Sequence, residues 1–387
     1  MPFKFFGEAN PELDKENKIV TKIFDHVDVK TFIRSIPLVS KQWKEVVEKK
    51  SPDTRVLLQL LSQCSPFKDE ETSSITAVEK LSGGLTNTTF SFKHWDIKLI
   101  GRRPGKNSDM LIDRDAEAFN AKLLEDIQLG PEVIYTNRKG IQITKFLENF
   151  TPIKTESMNS TANLKGVAEA LKKLHTCGKE FANDVDVFAR NKHMLKLLLN
   201  RGITLPNEYF LITEQMDALE TVFQSLQIQK IPCHNDTTSS NFMKSIGEIK
   251  LIDPEYSGNN DPLWDLACLS MEAHFTEEQD KRLLSYYFDT DNADETLYQR
   301  FILYKPVVEF WAALWYQIQI ANDNLQDTLD NLKNSERSRF SQCQELLNST
   351  DFKQALYFIK PHSRTTELNQ TNDQGKSNPS FSPLVKR

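Results

Sequence analysis

Apolar and polar positions follow different periods in different parts of the chain. In the first fifty residues, Ile19, Val20, Ile23, Phe24 and Val27, then Phe32, Ile33 and Ile36, then Val39, Trp43, Val46 and Val47 recur at helical spacing. The pattern breaks near Asp28 and Pro37, so three short amphipathic helices are predicted within residues 1–52. A unit of about 50 residues buries little core and gains from a partner surface. Ser51-Pro52-Asp53 opens a further helix that runs to about Gln63, and residues 53–76 read as a linker helix and loop. From Ala77 the period shortens: two extended runs flank Gly83 and Gly84, and a hairpin follows. Residues 113–130 form a predicted helix ending at Gly130, and PEVIYT and GIQITKFL are strands joined at 137–140. Residues 77–150 therefore read as a small sheet carrying one helix. Beyond Thr151 the chain is mainly helical, with predicted helices at 164–178 and 213–227 and others continuing to about Ile359. Residues 361–387 are polar and are expected to form a disordered tail.

The rest of the composition narrows the class. Of the 387 residues 39% are hydrophobic and 26% charged, as in ordinary globular proteins. A net charge of −6 argues against a general nucleic-acid binder, which carries a basic stripe. No run of about 18 apolar residues predicts a membrane span, and the N-terminus lacks the apolar region of a secretory signal. Five scattered cysteines, never spaced C-x-x-C, fit a reducing, cytoplasmic setting without structural zinc.

The densest chemistry lies in CHNDTTSSNFMKSIGEIKLIDPEYSGNNDPLWDLA, from Cys233 to Ala267. Phosphoryl transfer asks for an Asp beside the attacking hydroxyl, and for an Asn and a second Asp that hold magnesium against nucleotide phosphates. Asp236 and Asn241 have the H-x-D-x-x-x-x-N spacing of protein-kinase catalytic loops, and Asp253 follows at the end of an apolar strand. A hairpin with its turn at 245–248 would bring Asn241 and Asp253 to one end. Taken singly, an H-x-D occurs often by chance and an Asp after a strand is usually a turn residue; order, spacing and hairpin together favour a magnesium clamp with a catalytic Asp. Upstream, LSGGLTNTTF places Gly83 and Gly84 where backbone N–H groups can approach phosphates, although Gly-Gly by itself usually marks a plain turn. A kinase also pairs a strand cation with a helix Glu. Arg102 and Glu117 are the candidates, with Lys98 or Arg103 as replacements for Arg102 and surface salt bridging as the ordinary alternative for all of them.

CHNDTTSSNF followed by LIDPEYSGNNDPLWDLA resembles choline and ethanolamine kinases, particularly the bacterial choline kinases of the aminoglycoside-phosphotransferase-like group. LSGGLTNTTF is similar to their phosphate loop, which implies nucleotide contacts from Gly83, Gly84 and Asn87. RRPGKNSDMLIDRDAEAFN is similar to their R-x-P-G and DR-x-x-E segment, with Arg102 and Glu117 in the matching positions. The likeness covers about residues 76–325. It implies an α+β, bilobal protein-kinase-like fold, with a small antiparallel sheet lobe at 77–150 and a mainly helical lobe at 151–360. It also implies ATP and Mg2+ as cofactors, Asp236 as catalytic base, Asn241 and Asp253 as metal ligands, and Glu255 facing a cationic alcohol. The chain departs from the family in lacking the proline often found between the catalytic Asp and Asn.

Choline is a quaternary ammonium, which proteins hold against aromatic faces with a carboxylate nearby. Trp311 and Trp315, with Phe310 and Tyr316 beside them, offer such faces; core packing is the alternative for this stripe. The family usually has tryptophans three apart here, whereas these are four apart, so Trp315 is the secure match. Trp264 reads either as a pocket lining or as a wedge beneath the loop. Within residues 18–50, LVSKQW stands where F-boxes commonly carry LVCKRW, so the N-terminal all-α module resembles an F-box, which docks onto the SCF-type adaptor of a ubiquitin ligase. The usual Leu-Pro opening is absent, and a generic helical cap is the alternative. The pairing suggests a bacterial effector acting in a host cytoplasm. Rival readings are a kinase of the same fold acting on another small molecule or a protein, and a ubiquitination adaptor whose kinase-like domain only binds a target.

Overall fold

A computed structural model gives the structure of the chain and describes residues 25–34, 50–81, 87–105, 107–290, 294–322 and 329–359. Gly83 and Gly84, residues 18–24 and 35–49 of the F-box-like segment, and the tail at 361–387 lie outside the described residues. The chain divides into two compact units, residues 1–108 with 131–148, and residues 109–130 with 149–387.

The first unit is built on an antiparallel sheet. Strands β1 (Ile75–Leu81), β2 (Asn87–His94), β3 (Ile97–Pro104), β4 (Val133–Thr136) and β5 (Gln142–Lys145) lie in the order β1-β2-β3-β5-β4. Alternation along β2 sends Phe90 and Phe92 to the covered face. That face is filled by helix α2 (Pro52–Leu61), which begins as its sequence suggests: Ser51 Oγ accepts from Thr54 N at 3.1 Å, and Pro52 needs no donor at the first turn. Leu57, Leu58, Leu60 and Leu61 of α2 join Phe67, Phe92, Leu99 and Ile143 in one core. Gly101 of β3 lets α2 and β2 close in, since a Cβ there would meet Phe92 Cε1 at 3.3 Å and Leu57 Cδ1 at 3.5 Å. Residues 53–76, expected as a linker, thus supply a wall of this core. Residues 25–34 belong to it as well. Val29 and Phe32 of the short helix α1 (Val29–Arg34) are fully buried in the same cluster, and Val29 N donates to Glu70 O at 2.9 Å.

The second unit is mainly helical. Its helices are α3 (Arg114–Asp126), α4 (Thr161–His175), α5 (Val187–Asn200), α6 (Asn207–Ser225), α7 (Pro262–Glu272), α8 (Glu277–Phe288), α9 (Glu295–Ala321), α10 (Leu329–Asn348) and α11 (Thr350–Ile359). The long α9 packs against α5, α7, α10 and α11. Two small antiparallel ladders complete the unit: β7 (Ile231–Cys233) with β10 (Gly258–Asn260), and β6 (Thr151–Pro152), β8 (Phe242–Ser245) and β9 (Glu248–Leu251) in the order β6-β8-β9. Helix α3, read from sequence as part of the sheet lobe, belongs here. Leu123 and Leu124 enter this unit's core, and Asn120 bonds Asn183 Oδ1 at 3.0 Å, Ser257 O at 2.9 Å and Ala182 N at 3.0 Å.

Candidate active site

Strand β7 delivers the chain into His234-Asn235-Asp236, and β10 runs beside it with Gly258 opposite Cys233. Asn235 adopts φ 62°, a left-handed conformation that Asn tolerates better than most residues. Its side chain ties the turn on both sides, donating to Cys233 O at 3.2 Å and Gly258 O at 3.0 Å and accepting from Asn260 Nδ2 at 2.8 Å. Position 258 must be glycine, because a Cβ would lie 2.6 Å from Val185 Cγ2 and 2.9 Å from the Asn183 carbonyl. Beneath the turn sits Asp265 of α7, fully buried. Its two carboxylate oxygens accept from His234 N and Asn235 N, each at 2.7 Å. Trp264 is buried against Tyr304 and donates from Nε1 to Asn235 O at 3.4 Å, so it is a wedge beneath the loop.

Past this turn, a short 3-10 segment at Ser239–Asn241 leads into the β8–β9 hairpin. The hairpin closes on itself where Ile252 N donates to Asn241 O at 3.0 Å. Asn241 therefore stands at the same end as Asp253. Asn241 Nδ2 donates to Asp236 O and to Asp236 Oδ2, both at 2.9 Å, which turns its carbamoyl oxygen away from Asp236. Asp253 sits at φ 60°, ψ 61° and leads a 3-10 turn at Pro254–Tyr256. Asp236 keeps part of its surface open but lies deep among protein atoms. That burial, then the charges of Asp253, Glu272 and Glu255, push its carboxyl well above the usual range; the bond from Asn241 acts in the opposite direction.

Glu255 and Tyr256 follow directly and are both buried. Glu255 Oε2 lies 3.8 Å from Arg114 Nη1, which also donates to Glu117 Oε2 at 2.7 Å. Tyr256 is where two tryptophans of α9 converge. Trp311 meets it edge to face at 5.5 Å, and Trp315 Nε1 donates to its hydroxyl at 2.9 Å. Tyr316 packs edge to face on Trp315 at 5.1 Å, and Phe310 is taken into the core against Tyr209. Arg190 backs the cluster, its guanidinium carbon 5.9 Å from the Tyr256 ring centroid and its Nη atoms 3.3 Å from Tyr256 O. Burial lowers the pKa of Arg190 to about 10.

In the first unit, Arg102 stands on β3 opposite Thr89 of β2 and Gln142 of β5 and is buried. Lys98 and Arg103 are half-buried, and Lys98 Nζ lies 3.7 Å over the Phe146 ring. Asn87 opens β2 immediately after the undescribed glycine loop. Arg102 and Glu117 belong to different units; within its own unit Glu117 pairs with Arg114.

The choline/ethanolamine kinase family description matches residues 78–304, more than half of the chain. The chain belongs to the choline/ethanolamine kinase family. Protein LicA of Haemophilus influenzae is 32% identical over 216 residues, covering 54% of this chain and 62% of that protein. LicA of H. influenzae strain Rd is 31% identical over 214 residues, and 78% of its length is covered. Among solved structures, a choline/ethanolamine kinase family protein from Mesorhizobium loti is 31% identical with a TM-score of 0.63, covering 73% of this chain and 92% of that one. A LicA solved with AMP is 26% identical with a TM-score of 0.60, covering 70% and 92%. The enzyme class is that of the family, a phosphotransferase of choline/ethanolamine kinase type. Among the described residues no helix is long and apolar enough to cross a membrane.

Four residues that organise this site escaped the sequence reading: Arg114, His175, Tyr256 and Asp265. Tyr256 and Asp265 lie inside the motif segment, where a Tyr after Glu255 and an Asp after Trp264 were available signals. Arg114 sits in the DR-x-x-E match itself, three residues before Glu117. His175 ends an amphipathic helix, where a lone His carries no signal at all.

Proposed function

We propose that the chain transfers the γ-phosphoryl group of ATP to the hydroxyl of choline or ethanolamine, with Mg2+ as cofactor. The observation that supports this most is the placement of Asp236, held by Asn241 Nδ2 at 2.9 Å, beside the hairpin end that carries Asp253. In this reading the alcohol oxygen forms the new bond to the γ-phosphorus, the bond to the β,γ-bridging oxygen breaks, and ADP leaves. Asp236 accepts the hydroxyl proton. A carboxyl with a raised pKa is a better proton acceptor than an ordinary Asp, provided it is ionised when the alcohol arrives.

The donor set fits magnesium. The Asn241 carbamoyl oxygen and the Asp253 carboxylate are hard oxygen ligands of the kind Mg2+ takes. Bound there, Mg2+ would neutralise phosphate charge and offset the repulsion between Asp236 and Asp253. Arg102, Glu117, Gly83, Gly84 and Asn87 are proposed to serve the nucleotide. Glu255, Trp311, Trp315 and Tyr316 are proposed to receive the cationic end of the alcohol, with Tyr256 tying the two tryptophans together.

The test is magnesium-dependent ATP consumption by the purified chain with choline, ethanolamine and an aminoglycoside panel. Turnover confined to the aminoglycosides, or absent with every alcohol while ATP still binds, would reject the reading. Trp315→Ala is expected to raise KM for choline about ten-fold and leave KM for ATP within about two-fold, because a ring over a desolvated cation contributes roughly 1–2 kcal/mol. An equal rise in both KM values would count against the aromatic pocket.

We also propose, from the LVSKQW resemblance, that residues 18–50 dock the SCF adaptor of a ubiquitin ligase, as an effector working in a host cytoplasm would. Val29 and Phe32 are committed to the chain's own core, so docking falls to the other apolar positions of the segment, Trp43 among them. Purified adaptor should co-elute with the full chain and fail to do so with Trp43→Ala. Failure to bind the unaltered chain would end this proposal without touching the kinase reading.

A further inference from the structure

Three ionisable side chains from three helices form a cluster that no step of the transfer uses. Arg339 of α10 donates from Nη1 to Glu309 Oε1 of α9 at 2.9 Å, and from Nη2 to Oε1 of Glu272, the last residue of α7, at 2.6 Å. Glu309 is fully buried, and its Oε2 has no hydrogen-bond partner among the described residues. One arginine between two carboxylates leaves one negative charge over. A buried charge without a counter-charge is costly, so the cluster is complete only with one more positive charge, a proton or a cation. The proton belongs on Glu309. Burial raises its carboxyl to a pKa of about 7; the Arg339 guanidinium pulls it down, and Glu272 adds to the rise. Burial works against the charge of Arg339, but Glu272 and Glu309 outweigh it, so the guanidinium stays charged. Of the helices packed on α9, α10 brings Arg339 and Cys343 to Glu309, and α7 brings Glu272. Among the described residues α5 and α11 bring it no ionisable group. Burial, then the Glu309 charge, keep the Cys343 thiol protonated, so it does not compete for the proton. The cluster reaches the site on two sides: the charge of Glu272 acts on Asp236, and Tyr316 acts on Arg339.

We propose that the proton on Glu309 and a cationic acceptor exchange: the Glu272–Arg339–Glu309 cluster is neutral in the free protein and gives up that proton when the acceptor's ammonium binds. The proposal rests on the reading of choline or a close amino alcohol as the acceptor. The O–H bond of Glu309 breaks, both electrons stay on the carboxylate, and the proton passes to bulk buffer. A cation received at Tyr316 favours the ionised carboxylate, and by linkage an ionised Glu309 favours the cation by the same factor. Glu309 thereby sets specificity. A neutral alcohol gains nothing from the loss of the proton, so the preference for a cationic acceptor over a neutral one of the same shape grows as the pH rises through about 7.

The experiment is calorimetric titration of choline into the full chain, with ADP and magnesium present, in two buffers of different ionisation enthalpy. Choline has no titratable proton near neutral pH, so a proton that appears comes from the protein. At a pH of about 7, about half a proton should be released per choline bound, because a group with a pKa of about 7 is half protonated there. The uncharged carbon isostere of choline should release none. Between about pH 6 and about pH 8 the choline dissociation constant of the unaltered chain should fall about ten-fold, following the ionised fraction. Glu309→Gln should release no proton and bind choline with one affinity across that range, near the weak limit of the unaltered chain. Release that persists in Glu309→Gln belongs to another group and overturns the proposal, and so does full affinity of Glu309→Gln at the upper pH. If Glu309→Gln does not fold, Asp236→Asn decides, since it removes the other raised carboxyl near the pocket. Release that persists in Asp236→Asn supports Glu309 as the source, and release that vanishes overturns the proposal. Choline that binds the unaltered chain without proton release removes the role of Glu309 alone. Choline that does not bind at all, beside bound ADP, removes the acceptor reading and the proposal with it.

Discussion

Asp236→Ala is expected to lower kcat for the proposed choline phosphorylation by about a thousand-fold, in the middle of the range for removing a positioned base, while the melting temperature holds or rises. The two halves of this expectation come from the same surroundings. Asp236 lies within the influence of Asp253, Glu272 and Glu255, and burial disfavours its charge further. An ionised carboxylate in that position is a cost to the fold, so its removal relieves repulsion. Asn241 loses one partner but keeps its bond to the backbone carbonyl of residue 236, which prevents the loop from losing its anchor. Calorimetric melting and a steady-state assay on the same preparation check both halves. A variant that loses activity together with several degrees of melting temperature would point to a structural role for Asp236. One that keeps more than a tenth of the activity would move the base elsewhere in the site.

Most of what was legible in the sequence is local. H-x-D-x-x-x-x-N spacing and the apolar strand before Asp253 are contained in a single segment, and the hairpin that joins Asn241 to the Asp253 end follows from alternation and a turn. The tryptophans four apart share a helix face, and they do converge on one partner, Tyr256. What escaped depends on contacts that no local period encodes. The amphipathic pattern of 52–63 announces a helix with one apolar face, yet gives no sign that this face closes the sheet's own core rather than spanning a linker. Helix α3 reads naturally with the strands around it, but Asn120 and the paired Leu123 and Leu124 are satisfied by residues some sixty and more positions away. Asp265 and His175 are ninety residues apart and meet only in the folded unit. Left-handed backbone at Asn235 and Asp253 was likewise invisible, since Asn and Asp adopt it only when surrounding bonds require it.

That backbone decides how the second large effect should be measured. Asp253→Asn is expected to lower kcat by two to three orders of magnitude, the range set by several kcal/mol of lost charge stabilisation around the metal and phosphates. It should also raise the magnesium concentration needed for half-maximal rate. Alanine is the wrong substitution here. At φ 60°, ψ 61° it would add about 1 kcal/mol of backbone strain and mix a folding defect into the kinetic one. Asparagine tolerates the left-handed region, keeps the side-chain shape and removes only the charge. Removing that charge also withdraws the repulsion of Asp253 from Asp236, whose carboxyl should then move part of the way toward the ordinary range while burial still holds it up. Calorimetric titration of magnesium-nucleotide into Asp253→Asn supplies the independent readout. Binding of nucleotide should persist, with its dependence on magnesium shifted to higher concentration. Magnesium dependence equal to that of the unaltered chain would place the metal on other ligands, and the clamp formed by Asn241 and Asp253 would have to be given up even if Asp236 proved essential.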